Sequence, residues 1–264
     1  MMIDVLQPKK EIDKNGFVKI SSFLTKKKCK ETIKKLDFIQ SERIKKSEFI
    51  GNIENQVLYN YFIECPELLE FVYNKNIFNL MCHLLDKDHV LTTSSARNKR
   101  KIKNYKSSRK ASGIGWHTDG RYVLGDKIPI KPSFSYIVIY MLEDFNKNNG
   151  ATEYVPNSHK FNFRPERNGD YKKKYFYGSQ GDIIIMDTAL FHKAGISSYK
   201  SRWSIFSMYS SWYIKPYFQF DKIFTKKQFK DMNPKLRQLF HQDSIPPKNQ
   251  NINRATLRRV QEIE

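Results

Sequence analysis

The chain reads as a mainly β protein with a helical flank, an α+β arrangement centred on a sandwich or barrel. Three observations carry this. Helical spacing of apolar residues dominates the first ninety positions, and short runs rich in β-branched and aromatic residues dominate the next 120 or so. Turn signals separate those runs at short intervals, with no long helix between them, which argues against a parallel sheet.

In chain order, Phe17-Val18-Lys19-Ile20 reads as a short strand. Thr25 is an N-cap candidate, and behind it Cys29, Thr32, Ile33, Leu36 and Ile39 recur at helical spacing. Pro66 is placed as the first residue of a helix carrying Leu68, Leu69, Val72 and Tyr73. A third helix holds Ile77, Leu80, Met81, Leu84 and Leu85. Strands are expected at Val90–Ser95, Phe134–Tyr140, Thr152–Val155, Asp182–Met186 and Arg202–Tyr209. Past Pro216 the chain turns polar, with one helix near Lys235–Phe240 and an extended tail from Asn251. No repeat, linker or low-complexity tract divides it. The expectation is one domain over 1–264: a helical flank (1–88), a β core (89–215), and a C-terminal helix and tail (216–264).

A chain of 264 residues buries roughly 70–75% of its unfolded surface and needs no disulfide staple. Cys29, Cys65 and Cys82 are odd in number and widely spaced, which fits a reducing compartment. The longest apolar run, Tyr136–Leu142, is far too short to span a bilayer, and the first residues lack a signal-peptide pattern. The expectation is a soluble cytoplasmic protein. The net charge of +20 is mostly lysine, spread over every segment and accompanied by many Asn and Ile. That reads as composition bias before it reads as a nucleic-acid face.

The sharpest local pattern is Gly115-Trp116-His117-Thr118-Asp119-Gly120. On an extended strand His117 and Asp119 share a face, so an imidazole and a carboxylate take adjacent positions on one metal. A third ligand from elsewhere completes a two-His-one-carboxylate triad with open positions for substrates and oxygen. Alone, His-x-Asp is also what a hydrogen-bonded surface pair looks like. His192 and His159 compete for the third place. His192 is separated from Arg202 by one chain reversal, in a hairpin or across two sheets. Either arrangement sets a guanidinium near the third ligand, as a 2-oxoglutarate site requires for the far carboxylate.

His-x-Asp, then Asn149-Gly150-Ala151-Thr152-Glu153-Tyr154-Val155-Pro156-Asn157-Ser158-His159-Lys160, Gly181-Asp182, His192 and Arg202, taken in that order, resemble the phytanoyl-CoA dioxygenase family. The opening Asn15-Gly16-Phe17-Val18-Lys19-Ile20-Ser21-Ser22-Phe23-Leu24 is also similar, so the resemblance runs from about Asn15 to Trp212. It implies a double-stranded β-helix (a jelly-roll, cupin-like core) with iron at one mouth. It implies His117, Asp119 and His192 as metal ligands, with Arg202 holding the 2-oxoglutarate C5 carboxylate. Asn98, Thr152 and Ser204 are implied as further co-substrate contacts. His159 becomes a turn residue. The implied cofactors are Fe(II), 2-oxoglutarate and O2. The implied reaction is hydroxylation of an unactivated C–H bond in a small metabolite, releasing succinate and CO2. Asp119 favours hydroxylation, since related halogenases vacate that position for halide. One departure is Asn157 in place of the family's Gly, and Asn tolerates a left-handed turn.

The remaining residues read as structural: His83 on its helix, Trp116 as a wall, Trp203 and Trp212 packed, the cysteines as small hydrophobes. The basic stretch 97–110 reads as a solvated lid, with recruitment of an anionic substrate as the sharper hypothesis. Two rivals stay open. A jelly-roll protein that binds metal or ligand without catalysis would yield no succinate. A basic nucleic-acid-binding oxygenase would show steep salt dependence.

Overall fold

Local signals account for the first forty-five residues. In the computed structural model, which describes residues 6–48, 50–52, 55–99, 115–120, 122–123, 128–129, 132–197 and 201–242, helix α1 (Leu6–Asn15) buries Ile12 and stops at Gly16. Gly16 has φ +81°, the left-handed value that ends helices, and a Cβ there would lie 2.6 Å from His159 Nδ1. Strand β1 (Phe17–Ile20) follows. Thr25 then caps α2 (Lys26–Lys45), its hydroxyl accepting from the Lys28 N–H at 3.1 Å, a contact worth about 1 kcal/mol. The apolar stripe buries Cys29, Thr32, Leu36 and Ile39 as the spacing demands.

The flank is less helical than its sequence implies. A hairpin, β2 (Ile50–Asn52) and β3 (Asn55–Tyr59), interrupts it. The Pro66 segment is a single 3-10 stretch, Pro66–Phe71, because the Asn74 side chain already caps the next helix by accepting from the Asn76 and Ile77 N–H groups. That helix, α3 (Lys75–Leu84), buries Ile77, Phe78, Leu80 and Met81.

The strands that follow are β4 (Val90–Lys99), β5 (Tyr122–Val123), β6 (Ile128–Pro129), β7 (Ser135–Met141), β8 (Glu153–Tyr154), β9 (Lys174–Tyr175), β10 (Ile183–Asp187), β11 (His192–Lys193) and β12 (Arg202–Ser210). Three short helices close the described chain: α4 (Phe220–Ile223), α5 (Lys226–Asp231) and α6 (Pro234–Leu239), the first two not expected. The basic stretch beyond Lys99 and the tail from Asn251 lie outside the described residues.

The major sheet has the order β1-β10-β7-β12-β4-β3-β2, antiparallel throughout. The first ninety residues thus supply strands at both of its edges. The minor sheet has the order β11-β8-β9, also antiparallel. Strand alternation divides the core. Val138, Tyr140, Ile183, Ile185, Trp203 and Ile205 face the helices, packing with Leu36, Ile39, Phe71 and Leu80. Ile137, Ile139, Met141, Ile184 and Met186 face the minor sheet, packing with Tyr154, Phe145 and Phe176. Both faces are covered, so β7 and β10 are buried at every residue and read as unbroken apolar runs. Trp203 packs as expected and its indole N–H donates to Asp37 Oδ1 at 2.8 Å, tying α2 to the sheet. Trp212 does not pack: it lies just past the end of β12, 43% exposed beside Tyr213.

One core residue sets an acid limit on the fold. His89 is fully buried against Phe78 and Tyr209, its Nδ1–H donating to the Asp86 carbonyl at 2.9 Å. Burial pushes its imidazole down from 6.5 to about 4. Between those values the unfolded chain binds the proton that the folded one refuses. Stability is therefore full above pH 6.5 and falls as the pH drops towards 4, by about 3 kcal/mol in all. Urea unfolding between pH 7 and 4 is expected to show this slope, and His89→Gln to reduce it.

Candidate active site

His117 and His192 are each other's strand partners. The His117 N–H donates to the His192 carbonyl at 3.0 Å, and the His192 N–H returns the bond at 3.0 Å. Two residues on, the Asp119 and Gly120 N–H groups both donate to the Thr188 carbonyl, at 3.0 and 2.9 Å. The His-x-Asp segment is thus stitched to the turn and strand that carry His192. At its start Gly115 has φ +82°, and a Cβ there would lie 2.6 Å from the Arg167 carbonyl, so the close approach requires glycine. Trp116 packs with Val155 and Phe191, forming the expected wall.

The side chains follow from that frame. His117 Nδ1–H donates to the Gly115 carbonyl at 2.8 Å and His192 Nδ1–H to the Leu190 carbonyl at 2.9 Å. Each imidazole therefore turns Nε2 inward. His192 Nε2 lies 3.3 Å from Asp119 Oδ2, and one donor atom from each of the three residues falls within 4.8 Å of the others. Burial by itself would push the Asp119 carboxyl up. The hydrogen bond from His192 and the charges of His192, His117 and Arg97 outweigh it and hold the carboxyl well below the usual carboxylate range. Burial, reinforced by His192, pushes the His117 imidazole down. At neutral pH the cluster thus offers a carboxylate and an unprotonated imidazole, the forms that ligate a metal.

His159 is elsewhere. It sits in the 3-10 turn Ser158–Lys160 with its Nε2 directed to the Asp13 carbonyl at 3.2 Å, packed on Gly16. Asn157, which opens that turn, has φ +62°, the left-handed conformation expected of it.

Arg202 lies across the sandwich from His192, on the major sheet, and lines the same cavity as the triad. It is 4% exposed. Nε donates to the Asn149 carbonyl at 3.0 Å, Nη2 to the Gly150 carbonyl at 2.5 Å and Nη1 to Ser204 Oγ at 3.3 Å. The Phe145 ring stacks on the guanidinium at 3.5 Å. Burial pushes Arg202 down to about 9, with Glu143 opposing and Arg97 adding, so it stays protonated at neutral pH.

Thr152 and Ser204 line this cavity as well. Asn98 does not, which corrects the expectation for it. On β4, residues 97 and 99 face the cavity, and alternation turns Asn98 to the other side of the sheet, where its amide donates to Gln40 of α2 at 3.1 Å. The residues that sequence reasoning passed over are Arg97 and Lys99, absorbed into a basic loop although both belong to β4, and the apolar walls Ile137, Ile139, Met186 and Phe206. Extending the β4 alternation by four residues past Ser95 would have found the first two.

The profile of the family described as phytanoyl-CoA dioxygenase matches residues 12–203. The chain belongs to the phytanoyl-CoA dioxygenase family. Among curated relatives of this family member, dioxygenase af480 of Aspergillus fumigatus is 28% identical over 134 residues, covering 49% of this chain and 42% of the relative. The match therefore spans less than half of that relative's length. Among solved structures, HygX from Streptomyces hygroscopicus with nickel and 2-oxoglutarate bound has a TM-score of 0.64 at 12% identity, covering 81% of this chain and 89% of that one. The epimerase SnoN in complex with Fe3+, alpha ketoglutarate and nogalamycin RO has a TM-score of 0.58 at 14% identity, covering 78% and 83%. These likenesses identify the two-sheet core as the jelly roll expected for a phytanoyl-CoA dioxygenase family member.

Proposed function

We propose that this family member is an iron(II)- and 2-oxoglutarate-dependent dioxygenase that hydroxylates a small molecule. His117, Asp119 and His192 would hold the metal, and Arg202 the C5 carboxylate of the co-substrate. The observation that carries this reading is the convergence of two imidazoles and a carboxylate within 4.8 Å, in a cavity that also holds a buried guanidinium. The donor set fits the metal: both histidines fix their inner nitrogens by donating Nδ1–H to backbone carbonyls, as metal-ligating histidines do. When bound, iron(II) supplies the redox chemistry coupling loss of CO2 from 2-oxoglutarate, which becomes succinate, to insertion of the second O2 oxygen into a C–H bond.

The protein's own part is binding and exclusion. Arg202 is held by the Asn149 and Gly150 carbonyls, so the charge that receives the dicarboxylate is fixed before binding. Thr152 and Ser204 offer hydroxyls from the same cavity. Ile137, Ile139, Met186 and Phe206 line it with apolar surface that keeps water from the reacting carbon. A small-molecule substrate is supported by HygX and SnoN, whose structures hold hygromycin B and nogalamycin RO.

The flank and core act as one domain in this reading, since β1, β2 and β3 complete the major sheet. Three free cysteines fit a cytoplasmic setting, and no helix among the described residues is long and apolar enough to cross a membrane. The test is succinate release with iron(II), ascorbate, O2 and a panel of acyl, amino-acid and sugar substrates. Substrate-stimulated succinate is expected. Absence of succinate both with and without every panel member would overturn the assignment.

A further inference from the structure

A second guanidinium in the same cavity defines the charge of the molecule that is oxidised, an inference that rests on the dioxygenase reading. Arg97 of β4 pairs in register with Ser204 of β12, one cavity-facing step from the Lys99–Arg202 pair. Along that face of β12 the order is Arg202, Ser204, Phe206, at roughly 6.5–7 Å per step. The Arg97 guanidinium lies over the Phe206 ring, 4.2 Å from its centroid. It therefore leans away from Arg202, further along the cavity wall.

The two arginines are held differently. Arg202 is buried and locked by two carbonyls and a hydroxyl. Arg97 makes one long hydrogen bond, Nε to Ser95 Oγ at 3.4 Å, and among the described residues it forms no ion pair with a carboxylate. Its planar edge is thus available to an incoming acid.

Charge accounting then selects the ligand. With a divalent metal and the 2-oxoglutarate dianion in place, their charges cancel, and Asp119 offsets Arg202. Lys99 is already engaged elsewhere. One positive charge, that of Arg97, is left over on the cavity wall, and a half-desolvated charge favours an anionic partner. We propose that Arg97 receives the acid group of the primary substrate, so that the enzyme oxidises a small organic carboxylate. The guanidinium fork matches a carboxylate in two parallel hydrogen bonds.

The test uses the whole chain loaded with Mn(II) in place of iron and saturated with 2-oxoglutarate. Matched acid and primary-amide pairs of linear acyl chains and N-acyl amino acids are titrated in. Paramagnetic broadening of their proton resonances reports residence near the metal without turnover. In the parent protein acids are expected to bind about tenfold more tightly than their amides. Arg97→Gln should bring that ratio to about one while changing the 2-oxoglutarate Kd by less than about twofold, and Arg97→Lys should keep part of the preference. Arg202→Gln should do the converse, weakening 2-oxoglutarate.

An acid preference that survives in Arg97→Gln overturns the inference, as does its absence from the parent protein. Loss of 2-oxoglutarate binding in Arg97→Gln as large as in Arg202→Gln also overturns it and reassigns Arg97 to the co-substrate. Failure of 2-oxoglutarate to bind the parent protein at all is a different result, and it sinks the dioxygenase reading itself.

Discussion

Asp119→Ala is expected to abolish substrate-coupled succinate release, a fall of at least about a thousandfold, while leaving the fold in place. Loss of a residue that merely orients a metal ligand costs roughly 10–100-fold, so a larger effect marks Asp119 as a ligand itself. Its carboxylate is the one acidic group grouped with His117 and His192 among the described residues. The backbone does not depend on it, since the Asp119 N–H still reaches the Thr188 carbonyl. Its side chain is a third exposed, so truncation opens no core cavity. Circular dichroism and Tm should be close to those of the parent protein. Activity in the variant within tenfold of the parent would contradict the role.

Arg202→Ala is expected to act on the co-substrate. Removing one partner of a buried charge pair costs roughly 2–5 kcal/mol, so the 2-oxoglutarate KM should rise about a hundredfold or more. The rate at saturating 2-oxoglutarate should fall much less, because Arg202 contacts the end of the molecule that does not react. The same truncation strips donors from the Asn149 and Gly150 carbonyls and leaves a void beside Phe145, so Tm should drop as well. Arg202→Lys separates the two effects: it keeps charge and bulk but loses the fork, and so should restore Tm more fully than KM. A KM for 2-oxoglutarate unchanged in both variants would remove Arg202 from the site.

Much of this architecture is visible in the chain because short-range physics decides it. Phe17–Ile20 is a strand at the bounds its residues suggest, Thr25 caps the helix it precedes, and β7, β10 and β12 fall where β-branched and aromatic residues concentrate. The convergence of His117 and Asp119 is equally local, since alternation along an extended segment places them together.

What the residues do not disclose is long-range or turns on single-residue register. The β2–β3 hairpin is short and polar, and it is held in place by its pairing with β4, far along the chain. His192 and Arg202 lie on different sheets, a choice that the turn between them leaves open. Asn98 shows how sharp the register constraint is. It sits between two cavity-lining residues, yet its side chain meets Gln40 beneath α2, because a one-residue step on a strand reverses the face. Arg97 was hidden by its neighbours: surrounded by Lys and Arg in sequence, it reads as solvated charge, and only pairing with Ser204 turns it inward.

The claim on which the rest depends is that one divalent metal is held jointly by His117, Asp119 and His192. The direct measurement is anaerobic equilibrium dialysis against iron(II), with metal read by atomic emission, for the parent protein and for His117→Ala, Asp119→Ala and His192→Ala. The parent should retain about one iron per chain and each variant should lose most of it. Stoichiometric iron in the His192→Ala protein, with the fold intact, would contradict the account.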